Sequence, residues 1–296
     1  MSAIPYHPLR DDLYRPGLGP TLFEPGMRPS VPLLCAECAR LAYKAFDRDP
    51  AAAQELAEAL ARVGCGAPQL FSKGDSQAFL APTADGSVIV AFRGTEPGTG
   101  DVLTDIDALL VSWPAGGHVH DGFARAFRLL WPDIEPRLIA LAAPVIFTGH
   151  SLGAALATLA ASAWAGRTPA RLVTFGSPRV GDAAFVASCT VECQRYVDCC
   201  DVVTRLPPPG LAVGGIDVGF RHIDEDRPLF IGRDRTLRPD ITAAEIDRDR
   251  LAAREEYLLT WALRPGTVAI RDLADHAALN YVRPLLAREG APSIAG

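Results

Sequence analysis

The sequence predicts an α/β fold, a mostly parallel central sheet flanked by helices, and three observations predict it. First, the apolar run Pro144-Val145-Ile146-Phe147-Thr148 leads into Gly149-His150-Ser151-Leu152-Gly153, and an alanine-rich run from Ala154 to Ala161 leads out. The first run is short, β-branched and bounded by Pro and Gly, which fits a buried strand. The second holds strong helix formers and no Gly or Pro, which fits a helix. Second, strand-like and helix-like segments alternate beyond this turn, which requires parallel pairing through right-handed crossovers. Third, 296 residues at 49% hydrophobic suffice for one large core, and no linker or repeat divides them.

Residues 1–30 are rich in Pro and Gly and read as an arm, extended on the surface or disordered, ahead of one domain over 31–296. A helix is predicted from Leu33 to Phe46. Asp49-Pro50 reads as the cap and first turn of a second helix, through Leu60 and ending near Gly64. Gln77–Ala81 and Ser87–Phe92 read as strands joined in a hairpin across Asp85-Gly86. The second runs into Arg93-Gly94-Thr95-Glu96. A helix is expected over Asp101–Val111. Asp121 is expected to cap a helix from Phe123 to Leu130, broken by Pro132 and Pro136 before a further helix runs to Ala143. Beyond the central turn come a strand at Arg171–Phe175 and another near Val191–Val197. The stretch 221–250 is densely charged, and Thr242-x-x-Glu245 forms a capping box for a helix reaching about Leu263, stopped by Pro265-Gly266.

Gly149-His150-Ser151-Leu152-Gly153 reads G-x-S-x-G. A serine between strand and helix, with glycine two residues away on each side, fits a nucleophile elbow. The turn is tight and helix must approach strand, so a side chain at either glycine would crowd it. The helix N-terminus points at the serine, where negative charge develops during acyl transfer. A serine hydroxyl needs an imidazole to take its proton and a carboxylate to fix that imidazole's tautomer. Ser151, Asp201 and His276 occur in the Ser…Asp…His order of α/β-hydrolases. In that fold one oxyanion donor is the N–H after the nucleophile, here Leu152. The other comes from a turn after an earlier strand, here Thr95. His222 is an alternative base, and Asp198 and Asp224 are alternative acids. His120 reads as structural, and His150 is expected to point away from the chemistry.

Six blocks resemble the successive motifs of the class 3 lipases, a family that includes the fungal triacylglycerol lipases. They are Phe92-Arg93-Gly94-Thr95, Val119-His120-Asp121-Gly122-Phe123, Gly149 to Gly153, Thr174 to Gly181, Asp201 to Pro207, and Asp275-His276. The resemblance spans about Leu33 to Val282. It implies an α/β-hydrolase fold, Ser151 as nucleophile, Asp201 as acid, His276 as base, and Thr95 and Leu152 as the oxyanion hole. The fungal enzymes carry an amphipathic lid with an aromatic anchor after the oxyanion turn. Here that stretch, Pro97 to Asp105, has no aromatic residue.

Composition narrows the function. A net charge of −6 is poorly suited to nucleic acid or to anionic membrane surfaces. No early segment pairs positive charge with an apolar run and no stretch is apolar enough to span a bilayer, so a cytoplasmic location without a signal peptide is expected. Seven cysteines, an odd count, read as reduced thiols. Cys35-x-x-Cys38 lies within a predicted helix and has no second ligand pair, so neither a metal nor an organic cofactor is expected. The expected activity is hydrolysis of short-to-medium acyl esters, of small molecules or lipids, through an acyl-serine. An acyltransferase or thioesterase with the same triad, and a non-catalytic lipase-like binding protein, are the alternatives. Oligomeric state is not legible.

Overall fold

The structure, a computed structural model, describes residues 4–95, 109–210, 212–213, 216–217 and 219–289. In chain order the elements are α1 (Arg10–Tyr14), α2 (Val31–Leu41), α3 (Pro50–Arg62), β1 (Gln69–Lys73), β2 (Ser76–Pro82), β3 (Val88–Phe92), β4 (Leu110–Ser112), β5 (His118–His120), α4 (Asp121–Leu141), β6 (Val145–His150), α5 (Leu152–Ala163), β7 (Ala170–Phe175), α6 (Ala183–Ser188) and β8 (Glu192–Asp198). A 3₁₀ turn at Val203–Arg205 follows, then β9 (Ala212–Val213), β10 (Ile216–Asp217), β11 (Leu229–Ile231), β12 (Leu237–Arg238), α7 (Ala243–Thr260), α8 (Arg271–Ala274) and α9 (Ala278–Glu289).

Eight strands form one sheet in the order β1-β2-β3-β6-β7-β8-β11-β12. The inner strands β3, β6, β7, β8 and β11 run parallel, and antiparallel pairs close both edges. Alternate side chains of β2, β3, β6 and β7 enter two different cores. Phe79, Ile89, Ile146 and Val173 pack beneath α2, α3 and α9. Leu80, Val90, Phe147 and Leu172 pack beneath α4 and α5 on the other face. A sheet covered on both faces explains why β3 and β6 read as unbroken apolar runs. Among the described residues no helix is long and apolar enough to cross a membrane.

The predicted hairpin and the capping box of α7 are present; Thr242 and Glu245 satisfy each other's backbone N–H groups. Three elements differ from expectation. First, α4 runs unbroken through Pro132 and Pro136. Both prolines sit on its exposed side, while Trp131, Ile134 and Leu138 bury the opposite one. The carbonyls that lose an N–H partner therefore face water, and packing holds the helix together. Asp121 is not its cap; that position is His120, and Asp121 sits in the first turn, 2.9 Å from Arg125 Nη2. Second, the helix expected over Asp101–Val111 lies mostly outside the described residues, and its end is instead strand β4, paired with β5. Third, the arm is tied down where it is described. Leu9 bridges to Thr267, Val268 N–H donates to the Pro8 carbonyl, and Phe23 and Leu13 are buried.

Candidate active site

Ser151 is the single residue between β6 and α5. Its backbone lies at φ 59 and ψ −129, a region an L residue occupies at a cost of about 1–3 kcal/mol. The surrounding structure holds it there. Ser151 N–H donates to the Phe175 carbonyl at 3.0 Å, which ties the elbow to β7. A Cβ on Gly153 would run into the main chain of Phe92, and one on Gly149 into the main chain of Gly153. Both glycines are thus required by close approach, as the spacing predicted.

The structure brings Ser151, Asp201 and His276 together, although they arise from three separate segments. His276 Nε2 lies 2.8 Å from Ser151 Oγ, and His276 Nδ1 lies 3.0 and 2.9 Å from the two carboxylate oxygens of Asp201. A carboxylate only accepts, so Nδ1 carries the proton and Nε2 is left to accept from the serine hydroxyl. All three residues are buried. Asp201 stands just beyond β8 and receives two further hydrogen bonds, from Val203 N–H at 2.9 Å and from the Tyr281 hydroxyl at 2.5 Å. Burial raises its pKa, but His276 and the hydrogen bonds outweigh burial and hold the carboxyl below its ordinary range.

The alternatives are engaged elsewhere. Asp198 ends β8 in a bidentate, buried pair with Arg235, at 2.7 and 2.8 Å. Asp224 pairs with Arg227 at the surface. His222 Nε2 donates to the Thr204 carbonyl at 2.7 Å, and burial, then neighbouring Arg195, push its pKa well below the ordinary histidine value. His120 stacks on Phe123, with ring centroids 4.2 Å apart. His150 does point into the core, yet it is not remote from the site: its Nε2 meets the main-chain carbonyl of His276 at 2.8 Å, and its Nδ1 meets the Tyr43 hydroxyl at 2.8 Å. Tyr43 and Tyr281 are residues around the site that the sequence did not single out. Tyr281 lies five positions after His276, close to the Asp275-His276 motif; Tyr43 carries no sequence signal.

Thr95 and Leu152 are placed alike. Phe92 pairs with Gly149 across β3 and β6, and each residue lies three positions beyond one of that pair. Both are half-buried, and Leu152 opens α5, where a first-turn N–H has no helical acceptor. The stretch Pro97 to Asp105, where a lid was looked for, lies outside the described residues. On α7, Leu258 and Leu259 are exposed while Ala253 and Tyr257 pack inward.

The loop carrying His276 is clasped by the arm. The Tyr6 hydroxyl donates to Asp275 at 2.7 Å, and the Tyr6 ring lies against the Arg271 and Arg235 guanidinium groups. His7 exchanges two main-chain hydrogen bonds with the Asn280 amide. Among the described residues, Cys199, Cys200 and Asp275 have ligand atoms close enough to share a cation. Asp275 is already held by Arg271, Tyr6 and the Cys200 N–H, and Arg271 would repel a cation there.

Residues 89–211 match the family model described as Lipase (class 3). Over 142 residues the chain is 38% identical to a secreted mono- and diacylglycerol lipase 1 of Fusarium solani, covering 45% of this chain and 39% of that protein. Over 152 residues it is 33% identical to a lipase of Rhizopus oryzae, covering 46% and 37%. The chain thus spans less than half the length of these relatives. Among solved structures, M37 lipase superposes with a TM-score of 0.60 at 14% identity, covering 89% of this chain and 96% of that one. The Rhizomucor miehei lipase propeptide complex gives 0.55 at 23%, covering 77% and 82%. At these identities the structural likeness speaks for the fold, an α/β-hydrolase.

Proposed function

From the match of residues 89–211 to the class 3 lipase family we propose that the chain hydrolyses carboxylic esters through an acyl-serine formed on Ser151. The observation that carries this reading is the contact of Ser151 Oγ with His276 Nε2 at 2.8 Å, with Nδ1 of the same ring on Asp201. In the proposed reaction Ser151 Oγ attacks the ester carbonyl as His276 takes its proton. The N–H groups of Leu152 and Thr95 receive the developing oxyanion. His276 then returns the proton to the leaving alcohol, and water repeats the sequence to release the acid. Asp201 keeps Nδ1 protonated and stabilises the imidazolium. No step calls for a metal or an organic cofactor.

The proposed substrates are short-to-medium acyl esters, of acylglycerols or smaller molecules. This rests on the sequence between Glu96 and Asp105, where Val102 and Leu103 are the only large apolar residues. Their burial is worth at most about 3–6 kcal/mol, before the nearby carboxylates are taken from water. A lid needs a broader apolar face. The seven unpaired cysteines support a reducing compartment, whereas the Fusarium relative is named as secreted.

The test has two parts. A fluorophosphonate probe should label the protein at Ser151 and leave Ser151→Ala untouched. Rates on p-nitrophenyl esters should then peak at short-to-medium chains, and the rate on tributyrin should pass smoothly through its solubility limit. No labelling would overturn the hydrolase reading; a sharp jump at emulsification would overturn the substrate reading alone.

A further inference from the structure

Between β8, the loop after Asp201 and the first turns of α7 lies a cavity of about 490 Å³. Four arginines line it, Arg179, Arg195, Arg205 and Arg250, against two carboxylates, Glu225 and Asp247. Arg179 gives Nε to Glu225 at 3.1 Å and Nη1 to the carbonyls of Arg205 and Pro207. Arg250 gives Nε to the Cys199 carbonyl and faces Asp247 at 3.7 Å, a residue that is itself largely exposed. Arg205 reaches Asp272, which it shares with Arg254, and its Nε is buried without an acceptor.

Among the described residues Arg195 makes no ion pair with a carboxylate; the carboxylates of Glu225 and Asp224 act on it only through space. It is 6% exposed, and its Nη2 donates only to the main-chain carbonyls of Glu225 and Asp224, at 2.9 and 3.4 Å. Its Nε is buried with no partner. A buried guanidinium with unused donors is costly, because neutral carbonyls do not replace the counter-charge that it lost with its water. His222, on the same wall, supplies no negative charge and already gives its Nε2 hydrogen to Thr204. The lining groups therefore carry more positive than negative charge, even with Asp272 reaching Arg205 from outside the lining.

We propose that this cavity is an anion site that takes a phosphate group, held by Arg195, Arg205 and Arg250. Guanidinium forks present paired N–H donors at the spacing of phosphate oxygens, and an anion supplies the counter-charge that Arg195 lacks. The site stands apart from ester cleavage and requires none of its residues. A free phosphate and the headgroup of a phosphorylated glycerol offer the same chemistry to these side chains.

Calorimetric titration of the full chain at low ionic strength, with inorganic phosphate and separately with glycerol 3-phosphate, tests this. Saturable one-to-one binding is expected, weakened about tenfold or more in Arg195→Gln and in Arg250→Gln. Tighter binding of glycerol 3-phosphate assigns a headgroup; equal affinity assigns free phosphate. Arg195→Gln removes carbonyl contacts and can fail to fold, so the helix-borne Arg250→Gln decides. Absence of saturable heat with both anions, or an unchanged affinity in Arg250→Gln, overturns the proposal. The readout is binding, so its failure is distinct from failure of the hydrolase reading.

Discussion

His150 donates from Nε2 to the main-chain carbonyl of His276 across 2.8 Å. A carbonyl only accepts, which fixes the proton on Nε2 and makes Nδ1 the acceptor of the Tyr43 hydroxyl. The two imidazoles lie with centroids 4.6 Å apart. A neutral ring thus supports the backbone of the histidine that faces Ser151.

This arrangement predicts acid sensitivity. Burial, with His276 adding to it, pulls the His150 pKa down to about 3. In the unfolded chain a histidine titrates near 6.5, so the folded value is the lower one. The stabilisation is therefore intact above about pH 6.5 and is lost as pH falls from there toward 3, at up to about 1.4 kcal/mol per unit. Denaturant unfolding at a series of pH values should show His150→Gln less stable than wild type at pH 7.5 but with a shallower acid limb. Parallel acid limbs in the two proteins would refute the assignment.

Removing the proposed nucleophile or base should be severe. Ser151→Ala or His276→Ala is expected to lower kcat by about 10⁴- to 10⁶-fold, and Asp201→Asn by less. Asp198→Asn should act differently. It strands the buried Arg235, which costs about 3–5 kcal/mol of stability. Near-wild-type kcat in a folded Asp201→Asn protein would show that the acid is elsewhere.

Thr95 is proposed to aim its N–H, with a contribution from its hydroxyl, at the oxyanion. Thr95→Ala removes only the side-chain share, and about 1–3 kcal/mol of transition-state stabilisation should go with it. The loss should appear in kcat rather than KM. A phosphonate adduct on Ser151 whose oxygen points away from Thr95 would exclude this role.

Gly153→Ala tests the elbow directly. The added methyl meets the main chain at Phe92, so α5 must move away from β3. Overpacking of this kind costs about 1–3 kcal/mol. The melting temperature should drop, and kcat should fall at least about tenfold because the Leu152 N–H moves with the helix. A variant of unchanged Tm and kcat would show that the elbow tolerates the strain.

Much of this was legible in the sequence because it is local. A strand, a G-x-S-x-G turn and a helix declare themselves within twenty residues, and the order of Asp201 and His276 follows from the topology of a parallel sheet. Asp198 and Asp201 differ only by which partner the fold supplies: Arg235 for one, His276 and Tyr281 for the other. The bond from His150 is to a main-chain atom 126 positions away, which no side-chain pattern encodes. The prolines of α4 misled because their cost depends on the side of the helix they occupy, and only tertiary packing decides that side. Composition likewise described the arm as extended or disordered, whereas single residues such as Tyr6 and Phe23 determine where it lies.

The contact of Tyr6 with Asp275 joins positions 269 apart. Synthesis proceeds from the first residue, so Tyr6 leaves the ribosome long before its partner exists. Ser151 and Asp201 also emerge before His276. Under the proposed roles, the serine has no proton acceptor until residue 276 emerges, and Tyr6 has no carboxylate to grip until residue 275 does. Residues 275 and 276 deliver both together. A truncated or stalled chain ending before residue 275 would therefore carry Ser151 without the base proposed for it.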